Sequence, residues 1–146
     1  MRPIPVTPST ATGSARAAIT TTPARQPVFR TDWLHPGLHL TAMGSDADYK
    51  QELEATAPAA ADLFVADRVS QCETLGELRA ARAAGLWPGD PPPELGQVLT
   101  GAHPGRTSDD QVTICDLTGT GAQDTAIAVH ARARVAAAGG GQAIRV

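Results

Sequence analysis

A chain of 146 residues suffices for one hydrophobic core, burying about two-thirds of the surface its unfolded form exposes. Its formal net charge of -3, with no long basic run, lacks the clustered Lys and Arg that neutralise phosphates, which argues against a nucleic-acid partner. No apolar segment approaches the ~20 residues of a membrane span, and residues 1–8 lack a signal peptide's apolar stretch, so the expectation is a cytoplasmic protein without a membrane partner.

Residues 1–16, rich in Pro, Thr, Ser and Ala without apolar periodicity, read as a disordered leader. Residues 17–22 form a short β-type run that ends in Thr20-Thr21-Thr22 and stops at Pro23; residues 27–29 resume it. Its threonines suit local backbone bonding as well as ligand contact. After His35-Pro36-Gly37, residues 39–43 have the length and composition of a buried strand. The chain then turns sharply through Met43-Gly44-Ser45-Asp46, and the charged segment beyond it predicts a helix to about residue 55. Two readings of Asp46 stand at this point. Asp46 or Asp48 caps the helix and complements its dipole. Alternatively, Asp46 is a carboxylate at the carboxyl end of a parallel strand, handling protons beside a ligand with Lys50 one turn further on.

Pro58 resets the chain, residues 61–67 read as another buried strand, and residues 68–85 contain helical segments with Glu73, Glu77 and Arg79 among their polar positions. Leu75, Leu78 and Ala81 make a narrow apolar face that belongs to the core. Three successive prolines, Pro91 to Pro93, form a rigid link to a short helix over 94–99. Residues 101–110 are loop, residues 111–117 are the clearest strand, and Thr118-Gly119-Thr120-Gly121 leads into an Ala-rich helix over 122–138 stopped by Gly139-Gly140-Gly141. Strands alternating with helices predict an α/β domain with a largely parallel sheet, a half-sized doubly wound architecture.

The local chemistry is sparse. Cys72 and Cys115 are too few and too far apart for a disulfide framework, and Pro36-Gly37 interrupts the only close histidine pair, His35 and His39, so buried thiols and no metal are expected. No Gly-x-Ser-x-Gly elbow is present. Between strand and helix, Thr118-Gly119-Thr120-Gly121 has the context of a loop whose amides approach a phosphate or carboxamide. Asp124 stands where a dinucleotide fingerprint needs its third Gly or Ala, so it is not the pyrophosphate loop of a first βαβ unit. Three strand-end turns, at Thr20 to Thr22, at Asp46 and at Thr118 to Gly121, are placed to converge on one crevice.

Several separated motifs share one register: Thr20-Thr21-Thr22-Pro23-Ala24-Arg25-Gln26-Pro27-Val28, His35-Pro36-Gly37-Leu38-His39, Gly44-Ser45-Asp46 with Lys50 and Glu52, Leu75-Gly76-Glu77-Leu78, Glu94-Leu95-Gly96, Gly105-Arg106, and Asp116-Leu117-Thr118-Gly119-Thr120-Gly121-Ala122-Gln123-Asp124. Over residues 17–142 the chain resembles the second half of the ornithine cyclodeaminase and mu-crystallin family, in wording nearest to its ectoine-utilisation cyclodeaminase-like branch. The resemblance implies a partial Rossmann-like domain over 17–146, with the N-terminal half of the family fold missing. It also implies an NAD cofactor that oxidises an amino acid at its α-carbon, an imine that loses ammonia or is attacked internally, and return of the hydride. The implied partner is a small amino-acid or imine substrate, and the expected assembly is a homodimer. The family's acid/base aspartate falls on Asp46, and its cofactor contacts fall on Met43, Gly44, Ser45, Asp46 and Lys50, with Thr22 from the earlier strand. Many members have Ser where Leu117 stands, so the adjacent Thr118 is carried as the nicotinamide-side contact. The substrate domain and the first βαβ unit of the family have no counterpart in the chain. A second reading is therefore a non-enzymatic one: a truncated remnant, or a crystallin-like binding or oligomerising module.

Overall fold

The computed structural model describes residues 15–87 and 89–142. Most of the predicted leader, residues 1–14, lies outside them.

Alternation within short apolar runs sets the architecture. The chain forms four strands, β1 (Ala17–Thr20), β2 (His39–Ala42), β3 (Leu63–Ala66) and β4 (Thr113–Asp116), in one sheet of order β1-β2-β4-β3 with every pairing parallel. Registered partners share a face, so Leu40, Ile114 and Phe64 make one rung, and Ala42, Asp116 and Ala66 the next. The core lies on that face, where Leu40, Phe64 and Ile114 join Phe29, Leu38, Leu53, Ala57, Cys72 and Leu78. The near-continuous burial of β3 and β4 is what strands covered on both faces require.

Short helices provide the cover. On the core side, α1 (Ala57–Ala60) and α2 (Val69–Cys72) pack against α3 (Gly76–Ala83), which buries Leu78, Ala80 and Ala81 and contacts β4. Of the apolar face expected from Leu75, Leu78 and Ala81, the last two are buried, while Leu75 precedes α3 and is half-buried. Leu95 and Val98 of α4 (Leu95–Leu99) lie over the opposite face, lining a cavity of about 280 Å³ with His39, Thr41, Val65 and Cys115. The last helix, α5 (Gly121–Ala137), buries none of its residues. No helix among the described residues is long and apolar enough to cross a membrane.

One predicted element is absent. Residues 46–55 form turns and extended chain, not a helix, so neither Asp46 nor Asp48 is a helix cap. The amides there bond elsewhere: Gln51 N donates to Ala24 O at 3.0 Å, and Glu54 N to Phe29 O at 3.0 Å, beside a bridge between Phe29 and Leu53. Tertiary acceptors have displaced the i to i-4 pattern.

Ile114 is wholly buried in central strand β4, whereas Ile127 on α5 is 64% exposed. Ile114→Ala is expected to cost about 2–5 kcal/mol in urea unfolding, and Ile127→Ala to stay within about 0.5 kcal/mol.

Candidate functional site

The three strand-end turns are held by buried or half-buried carboxylates, beginning with the Asp46 turn. Met43 N continues the sheet by donating to Thr20 O at 2.9 Å, and the next residue leaves the plane. Gly44 is obligatory there, because a Cβ would overlap both the Thr22 carbonyl and the Glu52 carboxyl group. Glu52, at 0% exposure, accepts from Gly44 N at 2.7 Å, Thr22 N at 2.5 Å and Thr20 Oγ1 at 2.7 Å. Glu77 then accepts from Ser45 Oγ, Glu52 N and Leu53 N. In turn, Asp116 Oδ2 accepts from the Glu77 and Leu78 amides in the first turn of α3, at 2.9 and 3.1 Å. Local sequence treats Glu77 as one more polar helical position, yet it is buried and is an anchor of the turn.

A fourth carboxylate holds the other loop. Asp67, just past β3, accepts from Thr118 N and Gly119 N on Oδ2, at 2.9 and 3.0 Å, and from Thr118 Oγ1 on Oδ1 at 3.0 Å. Those amides are therefore committed inside the protein and do not form the phosphate cradle that Thr118-Gly119-Thr120-Gly121 suggests from sequence. Asp67 itself sits at the end of a strand that sequence does reveal, but nothing local marks it as the partner of a loop 51 residues away.

Beyond the carboxyl ends of β2 and β4 lies a cleft of about 430 Å³, lined by Met43, Asp46, Leu117, Thr118, Gly119, Gln123, Asp124 and Ile127. Of the residues singled out in the sequence, Met43, Asp46 and Thr118 come together on it, the first two exposed and Thr118 buried. Gly44 and Ser45 are buried behind the wall, and Thr22 is half-buried, its Oγ1 accepting from Ala24 N at 3.3 Å. Lys50 Nζ meets Asp46 Oδ1 at 2.5 Å, in an i,i+4 pair without a helix. Its hydrogen bond holds the Asp46 carboxyl below the usual carboxylate range and raises its own pKa. Asp46 is thus an exposed carboxylate that rests ionised, at the mouth of a cleft whose other walls are largely apolar. Such a group accepts a proton readily only once a bound ligand dries the site or draws Lys50 away.

The other titratable groups have different roles. His39 bonds Thr113 Oγ1 at 2.8 Å and Thr41 Oγ1 at 3.2 Å, and burial lowers its pKa. Both cysteines are buried and free; burial raises each thiol, that of Cys115 to about 11.

Comparison with known proteins gives this geometry a context. The sequence model of the ornithine cyclodeaminase/mu-crystallin family matches residues 4–139. An uncharacterized cyclodeaminase of Sinorhizobium fredii is 51% identical over 125 residues, covering 85% of this chain and 38% of that protein. The iminosuccinate reductase of Paracoccus denitrificans in complex with NAD+ superposes with a TM-score of 0.78 at 36% identity, over 89% of this chain and 40% of its own. An archaeal alanine dehydrogenase dimer with bound NAD does so with a TM-score of 0.77 at 33% identity, over 89% and 41%. The chain spans about two-fifths of the length of these relatives.

The carboxylate network makes stability depend on pH. Burial, with the nearby Glu77 charge, raises the Asp116 pKa to about 7, and burial raises that of Glu77 as well. The unfolded value is about 3.9, so the folded state binds the Asp116 proton more tightly. Its stabilising contribution is complete below the unfolded pKa and is lost as pH rises through about 7. Urea midpoints are expected to fall between pH 5 and pH 8, and Asp116→Asn, which keeps an acceptor for both amides, to flatten that slope.

Proposed function

The chain belongs to the ornithine cyclodeaminase/mu-crystallin family, and from that premise we propose that it is the nicotinamide-side part of an NAD-dependent enzyme acting on an amino acid or imine, with Asp46 as the acid/base group. One observation carries this reading: an exposed carboxylate, held by three buried carboxylate-anchored segments, faces an apolar-walled cleft at the carboxyl ends of two parallel strands. That is where open α/β sheets bind ligands.

The residues present suit one end of the dinucleotide. Met43, Leu117 and Ile127 offer an apolar wall to a flat ring, with Asp46 at its edge. The phosphates are not served here, because the amides of Thr118 and Gly119 are already bound to Asp67. Thr22, Met43, Gly44, Ser45, Asp46, Lys50 and Thr118 are proposed as the cofactor side of the site, Gly44 and Ser45 acting through backbone position. When bound, NAD supplies the two-electron oxidation and its reversal at the substrate α-carbon. Asp46 then takes a proton from the substrate ammonium or from water and gives it back. Lys50 keeps Asp46 ionised between turnovers. In a cyclodeaminase the substrate's own side-chain amine would add to the imine carbon and displace ammonia before the hydride returns; in a reductase the imine would arrive as substrate, with the hydride coming from the reduced cofactor. The resemblance over residues 17–142 is the ground for placing the chain nearest the ectoine-utilisation branch, and the archaeal alanine dehydrogenase dimer supports a homodimer.

Titration of this chain with NAD, followed by amide NMR, is expected to show weak binding with shifts confined to residue 22 and to residues 43–50, 117–119 and 123–127. An absence of shifts there at millimolar NAD would sink the reading. In an assay with the whole enzyme, Asp46→Asn is expected to lower kcat by about 10²–10⁴-fold; undiminished turnover would remove Asp46 from the chemistry.

A further inference from the structure

We propose that Glu52 is the positioning residue of the Asp46 cleft: its carboxylate, reaching back across the loop from the far end, fixes where Asp46 stands relative to Lys50 and to the end of β1. This rests on the reading of Asp46 as the group that handles protons and adds the device that places it.

Glu52 is a wholly buried carboxylate with no ion-pair partner among the described residues. Burying such a charge is costly unless hydrogen bonds replace its water. Its three donors come from two segments: the Thr20 hydroxyl and the Thr22 amide at the end of β1, and the Gly44 amide at the start of the loop. A group needed only to fill space would be apolar; one that accepts from two segments at once sets the spacing between them.

The loop therefore closes on itself. Its first residue, Gly44, donates to the side chain of its last, Glu52, while Glu52 N and Leu53 N are held by Glu77. Ser45, next to Asp46, is gripped by Glu77 through its hydroxyl, and Ser45 O accepts from Gly76 N at 2.8 Å. Asp46 N donates to Gly44 O at 3.0 Å, so Asp46 follows the residue that Glu52 holds. On the other limb, Arg79 donates to Lys50 O at 2.9 Å. Both members of the Asp46–Lys50 pair thus stand on anchored backbone, and Glu52 joins that backbone to the end of β1.

The test reads the ionisation of Asp46 in the full chain without cofactor, by carbon-detected NMR titration of its carboxyl group. Lys50→Ala marks the midpoint with the partner removed. Glu52→Gln keeps the shape but puts an NH2 where an acceptor is needed, so either Thr22 or Gly44 loses its partner. The expected result is a folded variant whose Asp46 midpoint moves up, toward that of Lys50→Ala. Glu73→Gln, which breaks the Arg82–Glu73 pair, is expected to leave the midpoint where it is in the wild type. Should Glu52→Gln not fold, Thr20→Val removes only the hydroxyl donor and is expected to shift the midpoint in the same direction by less. A wild-type midpoint in folded Glu52→Gln, or in Thr20→Val where that variant stands in, overturns the proposal and leaves Glu52 a purely structural residue. Because the titration contains no NAD, failure of NAD to bind bears on the proposed function alone.

Discussion

Loop amides at the carboxyl end of this sheet are paired with buried carboxylates, and the rest of the candidate site depends on that pairing. Glu52, Glu77 and Asp116 are fully buried and Asp67 is half-buried; together they take up amides from residues 22, 44, 52, 53, 77, 78, 118 and 119. Leaving a buried amide unpaired costs about 1–3 kcal/mol, so the acceptors determine which loop conformations survive. The arrangement is also under electrostatic stress, since Glu77 lies between Glu52 and Asp116 and no cation among the described residues bridges them. Shared backbone donors, and a proton on Asp116 near neutral pH, relieve it.

The sheet was legible in the sequence because its signals are local. Short apolar runs at residues 17–22, 39–43, 61–67 and 111–117 each contain a strand, and the Ala-rich segment before the triple glycine contains α5. What local reasoning missed was non-local. Residues 46–55 have the polar composition of a helix start, yet their amides are taken by Ala24, Phe29 and Glu77, which lie far away in sequence. Likewise, nothing near Glu77 distinguishes it from Glu73, although one is buried under the Asp46 turn and the other pairs with Arg82 at the surface. Local sequence located the Asp46 turn and the family resemblance suggested its role; its physical support became visible only with the side chains in place.

The candidate site divides in the same way. Met43, Asp46 and Thr118 meet on one cleft, while Gly44 and Ser45 stand behind it. The clustering of named residues in sequence therefore mixes two roles, contact and support. Gly44 illustrates the second: its lack of a side chain lets Thr22 and Glu52 approach, and the ligand need not touch it.

Asp67 has a consequence for how this surface can evolve. The Thr118–Gly119 turn is an oxyanion receptor whose donors are already occupied by an internal anion. A mobile phosphate or carboxylate finds no free amides at these two positions, and Asp46 beside them is already paired with Lys50. The occupancy of both amides hangs on one side chain. A lineage that replaced Asp67 with a residue too short to reach the turn would release both amides together, giving the cleft two anion donors without altering a residue that lines it.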